Sequence, residues 1–140
     1  MLLPVYVRLR VKRGSRETEV IAKANTGFES PKHKGEPLGI VAIREQNFME
    51  LGSPEAEIFV SLLPFGAIRP SIYGAFKVKV KVVARDKESG WVEAYAIVTS
   101  GKPLIDDYLI ARLGIVILDP YEGLWKFRDD PPEKVRRNVL

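Results

Sequence analysis

The sequence contains no cysteine and a single histidine, His33. The absence of cysteine excludes disulfides, thiolate zinc sites, iron–sulfur clusters and cysteine nucleophiles. A single histidine excludes multi-histidine metal sites within one chain, and any Ser-His-Asp triad would depend on that one residue. His33 lies between lysines in a polar segment and is expected to be an exposed loop residue. We therefore expect no bound metal and no other cofactor.

Long apolar runs are also missing, and neither sign of charge dominates. No segment approaches the ~20 apolar residues of a membrane span, and the first residues are too charged for a secretory signal. We expect a cytoplasmic protein without a membrane partner. The 22 Lys and Arg residues exceed the 18 Asp and Glu residues by four. This mild excess permits weak attraction to nucleic acid but does not by itself argue for it.

The 140 residues are enough for one domain of ordinary size. Their composition, with 46% hydrophobic and 29% charged residues, is typical of a folded globular chain rather than a disordered one. The pattern predicts one domain at residues 1–128. Residues 129–140 are polar and contain proline, which predicts an extended C-terminal tail.

Alternation of apolar and polar residues predicts about eight β-strands. It is clearest at Phe76–Val83, where the apolar side chains are expected to face inward and Lys77, Lys79 and Lys81 outward. Two short helices are predicted at Glu45–Leu51 and Asp107–Leu113. The other strands are predicted at Pro4–Lys12, Glu17–Ala24, Gly39–Ile43, Glu57–Leu63, Trp91–Thr99, Ile115–Leu118 and Leu124–Phe127.

The segment at 20–28 reads Val-Ile-Ala-Lys-Ala-Asn-Thr-Gly-Phe, a strand that runs into a tight turn. It resembles the active-site loop of the retropepsin-like aspartic proteases, in which apolar residues precede Asp-Thr/Ser-Gly. In some prokaryotic members of that family a phenylalanine follows, as Phe28 does here. The triplet alone is also compatible with an ordinary turn, because Asn and Gly both tolerate positive φ.

Other features follow in the order found in that family. About 80 residues after the loop, Leu104-Ile105-Asp106-Asp107 and the later Leu113-Gly114 are similar to its second signature. The helix predicted at Glu45–Leu51 follows the first loop, and a glycine-containing hairpin at Phe65–Tyr73 lies where the family carries its flap. The resemblance covers about Tyr6 to Phe127, and it implies a mainly β fold with a closed acid-protease-like barrel and two short helices.

The resemblance also implies a functional site and a partner. Asn25, Thr26 and Gly27 occupy the catalytic positions, and a chain with one such loop needs a twofold-related subunit to supply the second, hence a homodimer. In the family, two carboxylates share one proton and activate water. The resemblance implies contact with a peptide or an unfolded protein segment through Phe28, Glu29, Phe65, Gly66 and Ile68.

The sequence departs from the family at two positions. Asn25 stands where the family has its catalytic Asp, and an amide cannot accept a proton from water. Asp106 stands where the family has Gly. Asp106 and Asp107 could form a carboxylate pair, but adjacent side chains point apart, so a helix cap is favoured.

Three functions remain open. The first is a homodimer of this fold that lacks peptidase activity and binds extended peptides. The second is an active aspartic endopeptidase whose natural residue 25 is Asp. The third is a small basic β-barrel that binds nucleic acid. The third ranks lowest, because single-strand binding needs aromatic residues among the basic ones and the strand face shows lysines only.

Overall fold

The alternating segments form strands in the computed structural model, which describes residues 4–63 and 68–139. The helices are α1 (Glu45–Glu50) and α2 (Asp107–Arg112). The strands are β1 (Tyr6–Arg13), β2 (Arg16–Ala24), β3 (Lys32–His33), β4 (Glu36–Pro37), β5 (Ile40–Ile43), β6 (Ile58–Leu62), β7 (Ser71–Val82), β8 (Val92–Val98), β9 (Leu104–Ile105), β10 (Ile115–Asp119), β11 (Leu124–Phe127) and β12 (Arg136–Arg137).

Six strands close into a barrel in the order β1-β2-β9-β5-β8-β7, because β7 pairs with β1 as well as with β8. Strand β6 extends this sheet by pairing with the first half of β7. Most neighbours are antiparallel, but β2 runs parallel to β9 and β5 runs parallel to β8. The prediction of a mainly β fold with a closed barrel and two short helices is confirmed. None of the helices in residues 4–63 and 68–139 has the length and apolar character needed to cross a membrane.

Strand β7 has the predicted faces but a different start. Phe76, Val78, Val80 and Val82 are buried, and the lysines between them point outward. The strand begins at Ser71 rather than at Phe76 because its first residues pair with β6. Ser71 and Ile72 are exposed and the next two residues are half-buried, so this part lacks the alternation that marks the second half.

Strand β5 separates two hydrophobic cores. Its side chains at Val41 and Ile43 belong to the larger core inside the barrel, and those at Ile40 and Ala42 belong to a smaller core. The smaller core lies against the inner face of the β6–β7 hairpin, where it includes Val60. Both helices contact the larger core, α1 through the partly buried Phe48 and α2 through the buried Leu109 and Ile110.

A glycine with positive φ follows the C-terminal end of each helix. Gly52 follows α1 with φ of 92°, and Gly114 follows α2 with φ of 74°. Such positive values suit glycine because it has no Cβ to clash with the carbonyl oxygen.

Two polar segments differ from the sequence expectation. The segment from Ser30 to Pro37, predicted as a loop, contains the small β3–β4 hairpin, with His33 exposed as expected. Residues 129–140 were expected to lie in an extended tail, but β12 pairs with β11, and the Val139 N–H donates to the carbonyl of Tyr6 in β1 at 3.2 Å. Arg136 is buried there because its Nε donates to Asp130 at 2.8 Å and its Nη1 donates to Asp86 at 2.6 Å.

Candidate functional site

The Asn25-Thr26-Gly27 loop begins where β2 ends and is closed by two local hydrogen bonds. The Gly27 N–H donates to Asn25 Oδ1 at 3.1 Å, and the Phe28 N–H donates to the Asn25 carbonyl at 3.0 Å. The amide oxygen of Asn25 is therefore used within the loop. Its NH2 group has no hydrogen-bond partner among the described residues.

This loop is fixed to the start of α2, which lies about 80 residues later in the chain. The Asn25 N–H donates to the Ile105 carbonyl at 3.3 Å, and the Asp107 N–H donates to the Phe28 carbonyl at 2.9 Å. Asp107 Oδ1 in turn accepts the Ser30 N–H at 2.9 Å. The two segments that carry the family resemblance therefore meet, and hydrogen bonds hold the loop on both sides of its turn.

Asp106 caps α2 from a fully buried position. Its Oδ1 accepts the Leu109 N–H at 2.8 Å, and its Oδ2 accepts the Ile40 N–H at 2.7 Å. Burial raises the pKa of this carboxyl, and the hydrogen bonds donated by Leu109, Ser30 and Ile40 oppose that rise. The cap predicted for Asp106 is confirmed. Asp107 binds the Ser30 backbone instead, so the two carboxylates hold different parts of the site.

The remaining loop residues differ in exposure. Thr26, Gly27 and Glu29 are exposed, and Asn25 is half-buried. Phe28 is also half-buried and packs against the smaller core beneath the β6–β7 hairpin. The polar groups of the loop therefore face outward, while its aromatic ring anchors it.

The β6–β7 hairpin flanks the segment Phe65–Tyr73 where a flap was predicted, and residues 64–67 between its strands lie outside the described residues. Its inner face, which includes Ile58 and Leu62, packs on the same core as Phe28. Its outer face exposes Phe59, Leu63 and Ile72 to solvent. Of the residues predicted to contact a peptide from this hairpin, Ile68 is exposed, and Phe65 and Gly66 lie outside the described residues.

A second concave feature, which was not predicted from the sequence, lies on the outer face of the barrel. It is a groove of about 700 Å³ whose floor includes parts of β7 and β8. The turn after β1 lines one part of it, and α2 lines another. Lysines on β7 signalled one part of this groove. The other contributions come from distant segments, so no local pattern could reveal them.

Within residues 4–63 and 68–139, no three His, Asp or Glu side chains are grouped so that they could hold a metal ion. No family model matches the chain, and no curated protein or solved structure is significantly similar to it. The family resemblance therefore depends on the motif residues and on their meeting in space.

Proposed function

We propose that the chain is a retropepsin-like protein that forms a homodimer and binds extended peptide segments without cleaving them. The observation that carries the proposal is the meeting of the Asn25 loop with the Ile105–Asp107 segment through backbone hydrogen bonds. Two segments with separate family signatures are thus joined into one site. Their order along the chain, with a hairpin between them, further supports the family assignment.

The chemistry of Asn25 favours binding over hydrolysis. Its Oδ1 already accepts the Gly27 N–H, which leaves the two N–H groups of the amide as donors. Such donors suit the carbonyl oxygens of an extended peptide. Hydrolysis needs a group that takes a proton from water, and an amide does not do so at ordinary pH.

An extended peptide could be recognised by pairing with an edge strand of the sheet. Among the described strands, β6 pairs only with β7 and so has a second edge available. An extended peptide can add to such an edge by main-chain hydrogen bonds, while pockets read alternate side chains. The exposed apolar residues Phe59 and Leu63 lie at this edge and supply such contacts.

A homodimer follows from the single loop in each chain. Thr26 is exposed beside Asn25, and its hydroxyl has no hydrogen-bond partner among the described residues. In a twofold dimer the two Thr26 hydroxyls bond across the axis, and two Asn25 amides face one ligand. An interface of this kind is self-complementary, because each loop meets its own copy.

The absence of cysteine makes the dimer directly testable. A Thr26→Cys variant would place one thiol at the proposed axis, and a disulfide requires Cα atoms about 4.4–6.8 Å apart. We expect rapid formation of a disulfide-linked dimer under mild oxidation in dilute solution. The matched control is Ser15→Cys, at an exposed turn between β1 and β2. Equal cross-linking of the two variants, or none at position 26, would contradict the proposed dimer.

Peptide binding is tested with the parent protein. A fluorescein-labelled unfolded polypeptide should show increased anisotropy with the parent protein and remain intact on a denaturing gel. Its compact, folded form is the control and should not bind. Cleavage of the bound polypeptide by the parent, or the same affinity for both forms, would refute the binding role.

A further inference from the structure

The groove on the outer barrel face has the composition of a binding site for an anion that carries aromatic rings. Five cationic side chains and one carboxylate line it: Lys12, Arg13, Lys77, Lys79, Arg112 and Glu93. Two tyrosines, Tyr95 and Tyr108, also line it. None of residues 25–29 does, so the groove is distinct from the Asn25 loop. We propose that this groove binds single-stranded nucleic acid.

Among the described residues, the cations of the groove form none of the ion pairs found one step away on the same strands, although Glu93 lies opposite Lys79. Arg10 and Lys81 face each other across β1 and β7, and each has its own carboxylate, at 3.0 Å and 2.7 Å respectively. The next outward pair on this ladder is Lys12 and Lys79. Among the described residues, no carboxylate forms an ion pair with either.

Like charges directly opposite in a sheet are destabilising, so this arrangement favours an anionic ligand. For Lys12 the Trp91 ring partly replaces a carboxylate partner, since the Lys12 Nζ lies 4.3 Å from the centre of that ring. Lys77, Lys79, Arg13 and Arg112 form no ion pair in the part of the chain that is described. Four cationic groups are therefore available to phosphate oxygens.

Protection of a sheet edge, one explanation for lysines on a strand, does not fit Lys79. Lysines often protect an open sheet edge against pairing with another chain. At Lys79, however, β7 pairs with Lys12 on one side and with Glu93 on the other. There is no open edge at Lys79, so edge protection does not account for this lysine.

The positions of the cations favour a strand of phosphates over a single phosphate. Lys77 and Lys79 are two residues apart on one face of β7, which separates them by about 7 Å. That distance is close to the spacing of successive phosphates along an extended strand. Arg13 and Arg112 lie on other elements that line the groove, so the charge extends along the groove instead of converging on one point.

The two tyrosines of the groove offer rings on which bases can stack, which a site for phosphate alone would not need. Tyr95 lies directly opposite Lys77 across β7 and β8 and is half-buried against the smaller core. Tyr108 is positioned by its hydroxyl, which accepts a hydrogen bond from Arg112 at 3.1 Å. Proteins that bind single strands without sequence preference combine such rings, on which bases stack, with a basic groove that follows the backbone.

The test measures anisotropy of a fluorescein-labelled oligodeoxythymidylate titrated with the full chain at about 50 mM and about 200 mM salt. We expect the Lys77→Gln, Lys79→Gln double variant to bind at least tenfold more weakly. Its log–log salt slope should be smaller by about 1.4, because each contact with a single-strand phosphate contributes about 0.7. The double variant Lys77→Arg, Lys79→Arg should retain binding, and Tyr108→Leu should weaken it by about tenfold.

The control removes the same charge elsewhere, at exposed cations outside the groove, as Lys34→Gln with Arg85→Gln. Thermal unfolding is followed for every variant, so that loss of binding is not confused with loss of the fold. Binding that falls only in the groove variants supports the proposal. It is overturned if the parent does not bind at low salt, or if the control weakens binding equally. It is also overturned if polyphosphate, polyglutamate or a mononucleotide binds as tightly as the oligonucleotide.

Discussion

The Asp106 carboxylate accepts the backbone N–H of Ile40 at 2.7 Å, which ties the first residue of β5 to the start of α2. Its other oxygen accepts the Leu109 N–H inside that helix. One side chain therefore satisfies two backbone donors from different elements, both in the protein interior. Asp106 therefore fixes β5 to the segment whose neighbouring residues, Ile105 and Asp107, hydrogen-bond the Asn25 loop.

Asp106→Asn should lower the free energy of unfolding by about 2–4 kcal/mol. The amide has only one acceptor oxygen, so either the Ile40 or the Leu109 N–H would face an NH2 group. Urea denaturation measures the loss. The control is Asp107→Asn, whose carboxylate accepts the Ser30 N–H and whose amide retains an acceptor, with an expected cost of about 1 kcal/mol or less. Equal losses would show that Asp106 has no special role.

The ion pairs of Arg136 should make the protein sensitive to acid. The hydrogen bond from Arg136 lowers the pKa of Asp86 from its ordinary value of 3.8 to about 2, and Arg136 holds the pKa of Asp130 well below its usual range. Because these carboxyl pKa values are lower in the folded state, the unfolded chain binds protons at a higher pH than the folded chain does. This contribution to stability is therefore complete above about pH 4 and is lost as the pH falls towards about 2.

Asp86→Asn should remove part of this acid sensitivity. The free energy of unfolding, measured from about pH 5 to about pH 2, should fall less steeply for the variant than for the parent. Asp106, whose pKa is shifted upward, is present in both proteins, so its effect cancels in the comparison. Parallel curves for the two proteins would contradict the role given to the Asp86–Arg136 pair.

Gly74→Ala should destabilise the β6–β7 hairpin. A Cβ at this position would lie 2.8 Å from the Ala56 Cβ, which is fixed to the backbone and cannot rotate away. We expect a loss of about 1–3 kcal/mol in unfolding experiments, typical of overpacking. Gly90→Ala is the matched control, since nothing lies within 4 Å of its added Cβ and its φ is not positive. The control should be neutral or slightly stabilising.

Asn25→Asp should introduce slow, acid-favoured proteolysis of unfolded substrates. The substitution replaces one NH2 by an oxygen, and the acceptor for the Gly27 N–H remains in place. Two carboxylates at a twofold axis would share a proton and repel each other when both ionise. The proposed dimer should therefore weaken in the variant as the pH rises towards neutrality, which light scattering can follow.

Asn25→Ala is the inactive control in the same proteolysis assay, because it has no titratable group. Equal proteolysis by the parent and by Asn25→Asp would contradict the role of position 25. An Asn25→Asp protein that dimerises normally but cleaves nothing would favour a binding role and would point to Asp106 and the hairpin as further differences.

Local patterns predicted the strands whose one face is buried. The second half of β7 was predicted correctly because its buried apolar residues alternate with lysines that point outward. The short strand β9 was not predicted. Its two residues form a strand only because they pair with β2 and β5. Pairing between distant segments leaves no periodic signal in so short a run.

Polar residues were predicted less well, because their positions depend on distant partners. Arg136 lies in a polar, proline-containing segment, but two carboxylates neutralise it and allow its burial. The Asp106 cap was predicted, because a cap bonds to residues next to it in the chain. Its bond to Ile40 was not predicted, since the two residues are 66 positions apart. The groove is formed by several elements, and its tyrosines could not be placed beside the lysines by periodicity.

The burial of β5 on both faces has a consequence for the dynamics of the chain. All four of its residues are buried, and both of its edges pair, with β8 and with β9. Solvent reaches such amides only when both cores separate, so their deuterium uptake should report global opening of the protein. The exposed edge of β6 should take up deuterium through smaller fluctuations. A mass spectrum that resolves peptides from the two strands would therefore separate the stability of the barrel from that of the hairpin over the Asn25 loop.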